Sequence, residues 1–489
     1  MISLFLAHLL LTAQVQIPDI DPQLKWKTKT TEHFEIHYES RLERVATRFS
    51  HLVEPIFQRI TKKLEWEPTS ITHVVLLSNT DTANGSSTPL PYNTVYLNIA
   101  PPTEGSSLDY YDDWLVMLFS HEFTHTVHID MVGGVNRVLR QVFGRFWVPN
   151  AAEPQWLLEG LAEYDESTET TGGRGNFDYI SMYLRTVSLM NKFMPIDRAT
   201  YWNQDYPYGN AAYWYGIGFM KYLVQRFGQD KLVEFLHANA SWPVIGWLNF
   251  KTASIFGTSF SRLWNDWRLE EQSKWKKKVA QYQSNYSGKN IGADITLNGQ
   301  GAWDPHERAV YASIQKKGKS KLVKIHWKNG KWKKEKLAPD LAAKRFQYHE
   351  GSLYYAKNGH SSRYQQAYDI WRFNLKTKKE EQLSRGLHAQ DPVASSNAIY
   401  AVQVTDLESR IIRFPLPPKS LDDSKKVSAN YFGKPAVIYS APGFSQISSP
   451  DLSPDGRYLV FGMFLEHHSR DLYLMDLQTH QVRRLTQDT

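Results

Sequence analysis

One segment of this chain is written twice. Asp369-Ile370-Trp371-Arg372-Phe373-Asn374-Leu375-Lys376-Thr377, closing in Leu383-Ser384, aligns without gaps on Asp471-Leu472-Tyr473-Leu474-Met475-Asp476-Leu477-Gln478-Thr479, closing in Leu485-Thr486, at a constant offset of 102 residues. The repeat constrains the fold strongly, because it spans about two units of a propeller period of roughly 40–50 residues. A second marker, Ser453-Pro454-Asp455-Gly456-Arg457-Tyr458-Leu459-Val460-Phe461, has a weaker copy at Asp304-Pro305-His306-Glu307-Arg308-Ala309-Val310-Tyr311. Pro-Asp-Gly favours a tight turn that feeds the following strand. From about residue 290 onward, short strand-like runs alternate with turn residues, the texture of an all-β array. The expectation for 290–489 is three to four blades, whereas propellers typically close with about four to eight. A partial propeller is therefore expected, or a natural chain that continues past Thr489. Unclosed blades leave strand edges open to pairing.

Composition matters where it excludes chemistry. The 489 residues include no cysteine, which rules out disulfides, thiolate metal ligands and a cysteine nucleophile. Any metal site must then be built from His and carboxylates. The length suits two to three domains at about 150 residues each. No apolar run approaches the roughly 20 residues of a membrane-spanning helix. The opening Met1-Ile2-Ser3-Leu4-Phe5-Leu6-Ala7-His8-Leu9-Leu10-Leu11-Thr12-Ala13 is apolar and turns polar at Gln14. It reads as a secretory signal within 1–20, so an exported protein is expected: periplasmic, cell-envelope or secreted.

The net charge of +7 is local. Ten lysines and a single acid, Glu335, lie between Gln315 and Leu337. Lysines interleaved with Trp327 and Trp332 would suit nucleic acid. The alternation on both sides of Asn329-Gly330 instead predicts a hairpin with a solvated face and a protected edge, and no nucleic-acid partner is expected.

Residues 28–100 read as mixed strand and helix. Strands are expected at 34–38, 73–77 and 94–98, with a helix over 41–64 whose Val45, Phe49, Val53 and Ile56 share a face. Residues 80–93 read as loop. Residues 105–285 are helix-rich, with helices expected at 111–130, 154–165, 210–227 and 260–281, and a turn at Gly172-Gly173-Arg174-Gly175.

The chemistry concentrates in His121-Glu122-Phe123-Thr124-His125. Four helical residues turn through about 400°, so the two imidazoles project from one face, a turn apart. They can share a Zn²⁺ ion, with Glu122 beside it to take a proton from bound water. A helix with two unrelated histidines would carry the same five letters. The second helix, Gln155-Trp156-Leu157-Leu158-Glu159-Gly160-Leu161-Ala162-Glu163-Tyr164, follows after a gap long enough for a return. Glu159 would complete a His₂Glu set, and Glu163, one turn on, could accept the free ring N–H of His121.

His121-Glu122-x-x-His125, Trp156-x-x-Glu159-Gly160-x-Ala162-x-Tyr164 and the opening Thr31-Glu32-His33-Phe34-Glu35-Ile36-His37-Tyr38 resemble the gluzincin metallopeptidases of the peptidase MA-like group over residues 28–285. The C-terminal repeats resemble those of TolB-like β-propellers. Together these imply a multidomain chain: an α+β zincin-like catalytic domain, with a mixed sheet and then a helix-rich subdomain, followed by a β-propeller-type domain. The resemblance implies one Zn²⁺ per chain on His121, His125 and Glu159, Glu122 as general base, and a peptide or protein substrate. It also implies a tyrosine that donates to the oxyanion, and Tyr213-Trp214-Tyr215-Gly216-Ile217-Gly218 offers Tyr213 first and Tyr215 second. The Gly-x-Met-x-Asn segment of zinc aminopeptidases is missing, which favours endopeptidase or unusual specificity. By the same analogy Thr94 to Asn98 is the edge strand that pairs with substrate backbone. His128, one turn beyond His125, reads as a helix-packing residue or as a support to the ligands. The rival expectation is an envelope scaffold whose propeller recruits a protein partner and whose zinc domain is silent or regulatory.

Overall fold

The structure, a computed structural model, describes residues 20–170, 172–242, 248–282, 299–316, 319–339, 341, 343–416, 435–465 and 470–487. The expected signal, through residue 19, and the expected domain junction at 285–290 lie outside the described residues. The chain forms two compact units. Met1–Leu77, Asn84–Leu97 and Tyr110–Asn285 make the first, and Ser78–Ala83, Asn98–Asp109 and Tyr286–Thr489 make the second. This division departs from one at 28–285 and 290–489 in the two short segments 78–83 and 98–109, which belong with the C-terminal part.

The first unit opens with β1 (Trp26–Thr30), β2 (Phe34–Glu39), β3 (Thr72–Leu77), β4 (Gly85–Thr88) and β5 (Thr94–Asn98), in the spatial order β1-β2-β3-β5-β4. β1 and β2 run antiparallel, β2 and β3 parallel, and β4 and β5 antiparallel. Alternation along β2 buries Phe34, Ile36 and Tyr38 and turns Glu35 and His37 to the opposite face. Helix α1 (Glu43–Leu64) buries Val45, Phe49, Val53, Ile56, Phe57 and Ile60. Its Phe57 meets Phe34 edge to face, with centroids 5.9 Å apart.

Two expectations are corrected in this sheet. Residues 80–93, read as loop, contain β4, paired to β5 from Gly85↔Leu97 to Thr88↔Thr94. Gly-Ser-Ser-Thr has no apolar alternation, so the neighbouring ladder makes it a strand. β4 is consequently the edge, and Thr94–Asn98, expected there, is internal.

The helical part comprises α2 (Trp114–Asp130), α3 (Gly134–Phe143), α4 (Gln155–Glu169), α5 (Asp178–Leu189), α6 (Ala211–Phe227), α7 (Gln229–Ala240), α8 (Leu248–Phe256) and α9 (Phe260–Val279). α2 starts at Trp114 rather than 111 because the Asp113 carboxylate caps it, accepting from the Leu115 and Val116 N–H groups at 3.0 and 3.3 Å. Helices α3, α5, α7 and α8 lie outside the segments read as helix. None exceeds 12 residues, although in α3 Val135, Val138, Leu139, Val142 and Phe143 do recur at helical spacing. Aromatic residues build the core here: Trp156 meets Phe219 and Phe260 at 5.3 and 5.1 Å, and Phe219 meets Trp264 at 4.8 Å.

Among the described residues the second unit holds four four-stranded antiparallel sheets in chain order. They are β6 (Ala302–Asp304) to β9 (Lys331–Pro339), β10 (Gln347–His349) to β13 (Glu380–Gln382), β14 (Ala389–Ala394) to β17 (Ala436–Ser440), and β18 (Gln446–Leu452) to β21 (Val482–Arg484). Separate apolar clusters join the first sheet to the second, the second to the third, and the third to the fourth. This is blade-on-blade packing, consistent with a partial propeller. The repeat has a structural meaning. Buried Asp369, on β12 (Gln366–Asn374), accepts from Ser384 Oγ at 2.8 Å and from the Gly386 and Leu387 N–H groups at 2.9 and 3.1 Å. Its copy Asp471, on β20 (Arg470–Asp476), accepts from Thr486 Oγ1 at 2.9 Å and pairs with Arg484. Each Asp ties the third strand of its sheet to the residues following the fourth.

The lysine-rich hairpin is present as β8 (Lys319–Lys328) and β9, turning at Asn329 and Gly330 with φ of 55° and 74°. β9 is an outer strand. Segments 78–83 and 98–109 are held within the second unit. The Tyr368 N–H donates to Asp81 Oδ2 at 2.7 Å, His388 Nδ1 meets Asp81 Oδ1 at 2.7 Å, and Arg470 Nη2 donates to Asp109 Oδ1 at 2.7 Å.

Candidate metal centre

α2 is buried on nearly every side, which suits its apolar start and leaves the polar HExxH residues inside the protein. His121 and His125 stand one turn apart with ring centroids at 4.8 Å and their Nε2 atoms 3.2 Å apart. Glu159 on α4 brings Oε2 to 3.2 Å from His121 Nε2 and 3.4 Å from His125 Nε2. All three residues are buried. Glu159 Oε2 is also buried without a hydrogen-bond partner. Tetrahedral ligands at about 2.0–2.1 Å from a zinc ion stand about 3.3 Å apart, and the observed edges of 3.2, 3.2 and 3.4 Å match that spacing. The residues therefore fit a metal ion, and the group can hold one.

Two glycines bring Glu159 into range. A Cβ on Gly160 would lie 2.5 Å from the Gly216 carbonyl carbon, and one on Gly216 would lie 2.5 Å from the Trp156 carbonyl oxygen. α4 and α6 thus touch backbone to backbone, and the crossing carries Glu159 and Tyr213 to the same place.

Glu122 is buried beside the triangle. Burial raises its pKa, while His121 and His125 pull the other way. Strand β4 lies against it: a Cβ at Gly85 would fall 2.7 Å from Glu122 Oε1 and 2.8 Å from Leu118 Cδ1. Only glycine leaves room for that carboxylate. Burial opposes ionisation of Glu159, yet His125 and His121 hold its pKa well below the usual carboxylate value.

The acid behind His121 is Glu166, not Glu163. His121 Nδ1 lies 3.0 Å from Glu166 Oε2, while Glu163 faces Arg174 Nε at 3.1 Å. Both acids lie on the stripe of α4 that carries Glu159, and the second turn beyond Glu159 is the one that reaches the ring. Arg174, in the Gly-rich turn, enters from the other side. Its Nε and Nη2 donate to Glu166 at 2.9 and 2.8 Å, and Nη2 lies 2.6 Å from His121 Nδ1. Burial pushes Glu163 upward, with Glu166 beside it, whereas Arg174 overcomes burial and draws Glu166 downward.

Tyr213 sits at the site, its ring 6.4 Å from that of His121 and 5.1 Å from the Arg174 guanidinium. Tyr215 faces away: it is fully buried, accepts from the Met194 N–H at 3.1 Å and stacks on Trp264 at 5.8 Å. Two residues along a helix turn through about 200°, so the two tyrosines take opposite faces. His128 lies with Glu153, 3.1 Å from its Oε2, outside the donor triangle. Tyr201 was not foreseen. It hydrogen-bonds Glu159 Oε1, and its backbone N–H donates to Gln155 Oε1 at 2.6 Å. It comes from a loop with no motif to mark it.

No family model matches the chain, and no curated protein does. Solved structures are similar in the C-terminal part, to TolB-like propellers. TolB from Acinetobacter baumannii is 12% identical with a TM-score of 0.31, covering 40% of this chain and 44% of its own. A putative TolB from Agrobacterium tumefaciens is 17% identical at 0.30, covering 38% and 63%. The tricorn protease is 16% identical at 0.28, covering 42% of this chain and 18% of its own. This chain thus spans less than two thirds of each. At these scores the similarities carry no inference about activity, and the N-terminal unit must be read from its own residues.

Proposed function

We infer that the first unit is a zinc-dependent peptidase of gluzincin type and that the second is a TolB-like propeller. The observation that carries this is the buried His121–His125–Glu159 triangle, with a general-base candidate, Glu122, next in sequence to its first member. When bound, zinc supplies Lewis acidity and lowers the pKa of a water molecule toward about 7. Glu122 is the residue that would accept a proton from an attacking water and return it to the departing amine. The burial that raises the Glu122 pKa equips it for both transfers. The Tyr213 hydroxyl donates to the developing oxyanion; burial, reinforced by Glu159, raises its pKa and keeps it a donor. Glu166 is the acceptor that would take the His121 Nδ1 proton and keep Nε2 free to ligate, in competition with Arg174 Nη2, a donor 2.6 Å from the same nitrogen. Edge strand β4, whose Gly85 lies over Glu122, is the strand that extends a substrate backbone past the site.

The test is Glu122→Gln. Metal analysis by mass spectrometry should find zinc retained, while digestion of a peptide library falls by about 10²–10⁴-fold. A chelator should abolish hydrolysis by the unaltered protein. Full hydrolysis by Glu122→Gln would remove Glu122 from its role.

A further inference from the structure

Two other groups of side chains among the described residues gather imidazole and carboxylate atoms within ligand range. In one, Glu54 already accepts from Thr31 Oγ1 at 2.6 Å and from the His33 N–H at 2.9 Å, and meets His33 Nδ1 at 2.8 Å. That group is closed on itself. The other, Glu35, His37 and His73, is not.

We propose that Glu35, His37 and His73 form a second site for a borderline divalent cation such as zinc, on the sheet face opposite the core. The strand register builds it. Glu35 and His37 are two apart on β2 and share a face, and His73 on β3 is the direct partner of Glu35. His37 Nε2 and His73 Nδ1 are 3.1 Å apart, His73 Nδ1 and Glu35 Oε2 are 3.4 Å apart, and His37 Nε2 and Glu35 Oε2 are 3.9 Å apart. These edges bracket the spacing of about 3.3 Å that tetrahedral zinc ligands require.

The His37 ring is oriented from behind. Thr28, its cross-strand partner on β1, places Oγ1 2.9 Å from His37 Nδ1. In the ligating tautomer Nδ1 carries the proton, Thr28 Oγ1 accepts it, and the Nε2 lone pair faces the other two ligand atoms. Two imidazoles and one carboxylate favour zinc, copper or nickel over magnesium or calcium, which take oxygen ligands. All three residues are partly exposed, so solvent can fill the remaining position. A cation here would join parallel neighbours β2 and β3 through their side chains. The site shares no residue with the buried triangle, and its existence does not depend on peptidase activity.

The experiment is calorimetric titration of the chelator-stripped full chain with zinc chloride, with bound metal counted by mass spectrometry. His121→Ala/His125→Ala, which lacks the buried triangle, should bind one equivalent, and adding His37→Gln/His73→Gln should abolish it. Because the buried replacements can impair folding, a second arm places only His37→Gln/His73→Gln in the otherwise unaltered chain. There bound zinc should fall by one equivalent while peptide hydrolysis is unchanged. If the His37→Gln/His73→Gln pair leaves the zinc count unaltered, the proposal is overturned. Failure of the buried site instead would cost hydrolysis and leave this equivalent in place.

Discussion

Arg174 puts a full positive charge behind His121, a ring that must stay neutral to hold a cation. The arrangement is tolerable because Glu163 and Glu166 flank the guanidinium, and all three groups are buried. One arginine cannot neutralise two acids, which is why burial pushes Glu163 up while Glu166 stays ionised and available to His121. Arg174→Met would leave Glu166 as an uncompensated buried charge. Denaturant unfolding should show a loss of about 3–5 kcal/mol, and adding Glu166→Gln, which removes that charge, should restore part of it. His121 and His125 were legible in the sequence because helical spacing fixes where i and i+4 point, and Glu159 because its helix follows after a gap long enough for a return. Arg174 and Tyr201 were not, since each arrives from a turn or loop whose path is set by distant packing. Glu166 was passed over for Glu163 because helix phase puts both on one stripe, and only the crossing of α2 and α4 chooses between them.

At the scale of elements, the α4–α6 crossing sets where both Glu159 and Tyr213 stand. With Gly160 and Gly216 in backbone contact, a methyl group on either has nowhere to go. Gly160→Ala should cost about 1–3 kcal/mol in thermal or denaturant unfolding through overpacking. It should also weaken metal retention, because Glu159 is the adjacent residue. Retained zinc and unaltered stability in Gly160→Ala would show that the helices can separate without disturbing the triangle. The long helices could be read in advance because apolar positions recur over several turns. β4 could not, because Gly85-Ser86-Ser87-Thr88 carries neither β-branched enrichment nor alternation. Its strand state is imposed by β5, and with it the identity of the sheet edge.

Across the whole molecule, neither unit is a continuous stretch of chain. Residues 78–83 and 98–109 leave the first unit's sheet connections and take their partners from the C-terminal sheets. Nothing in their composition marks this, since partners so remote leave no local pattern. A chain ending at 285 would deprive Asp81 of Tyr368 and His388, and Asp109 of Arg470. Limited proteolysis should cut such a fragment within 78–83 and 98–109 at sites protected in the full protein. Equal protection in both would show that the segments are held without the sheets.

The same threading sets a timetable for biosynthesis. Asp81 leaves the ribosome 307 residues before His388, the side chain that meets it. At about 5–20 residues per second, that is a wait of tens of seconds, during which Asp81 lacks its His388 partner. The two segments that interrupt the N-terminal unit can therefore be fastened only in stages, Asp81 once residues 368–388 have emerged and Asp109 once Arg470 has.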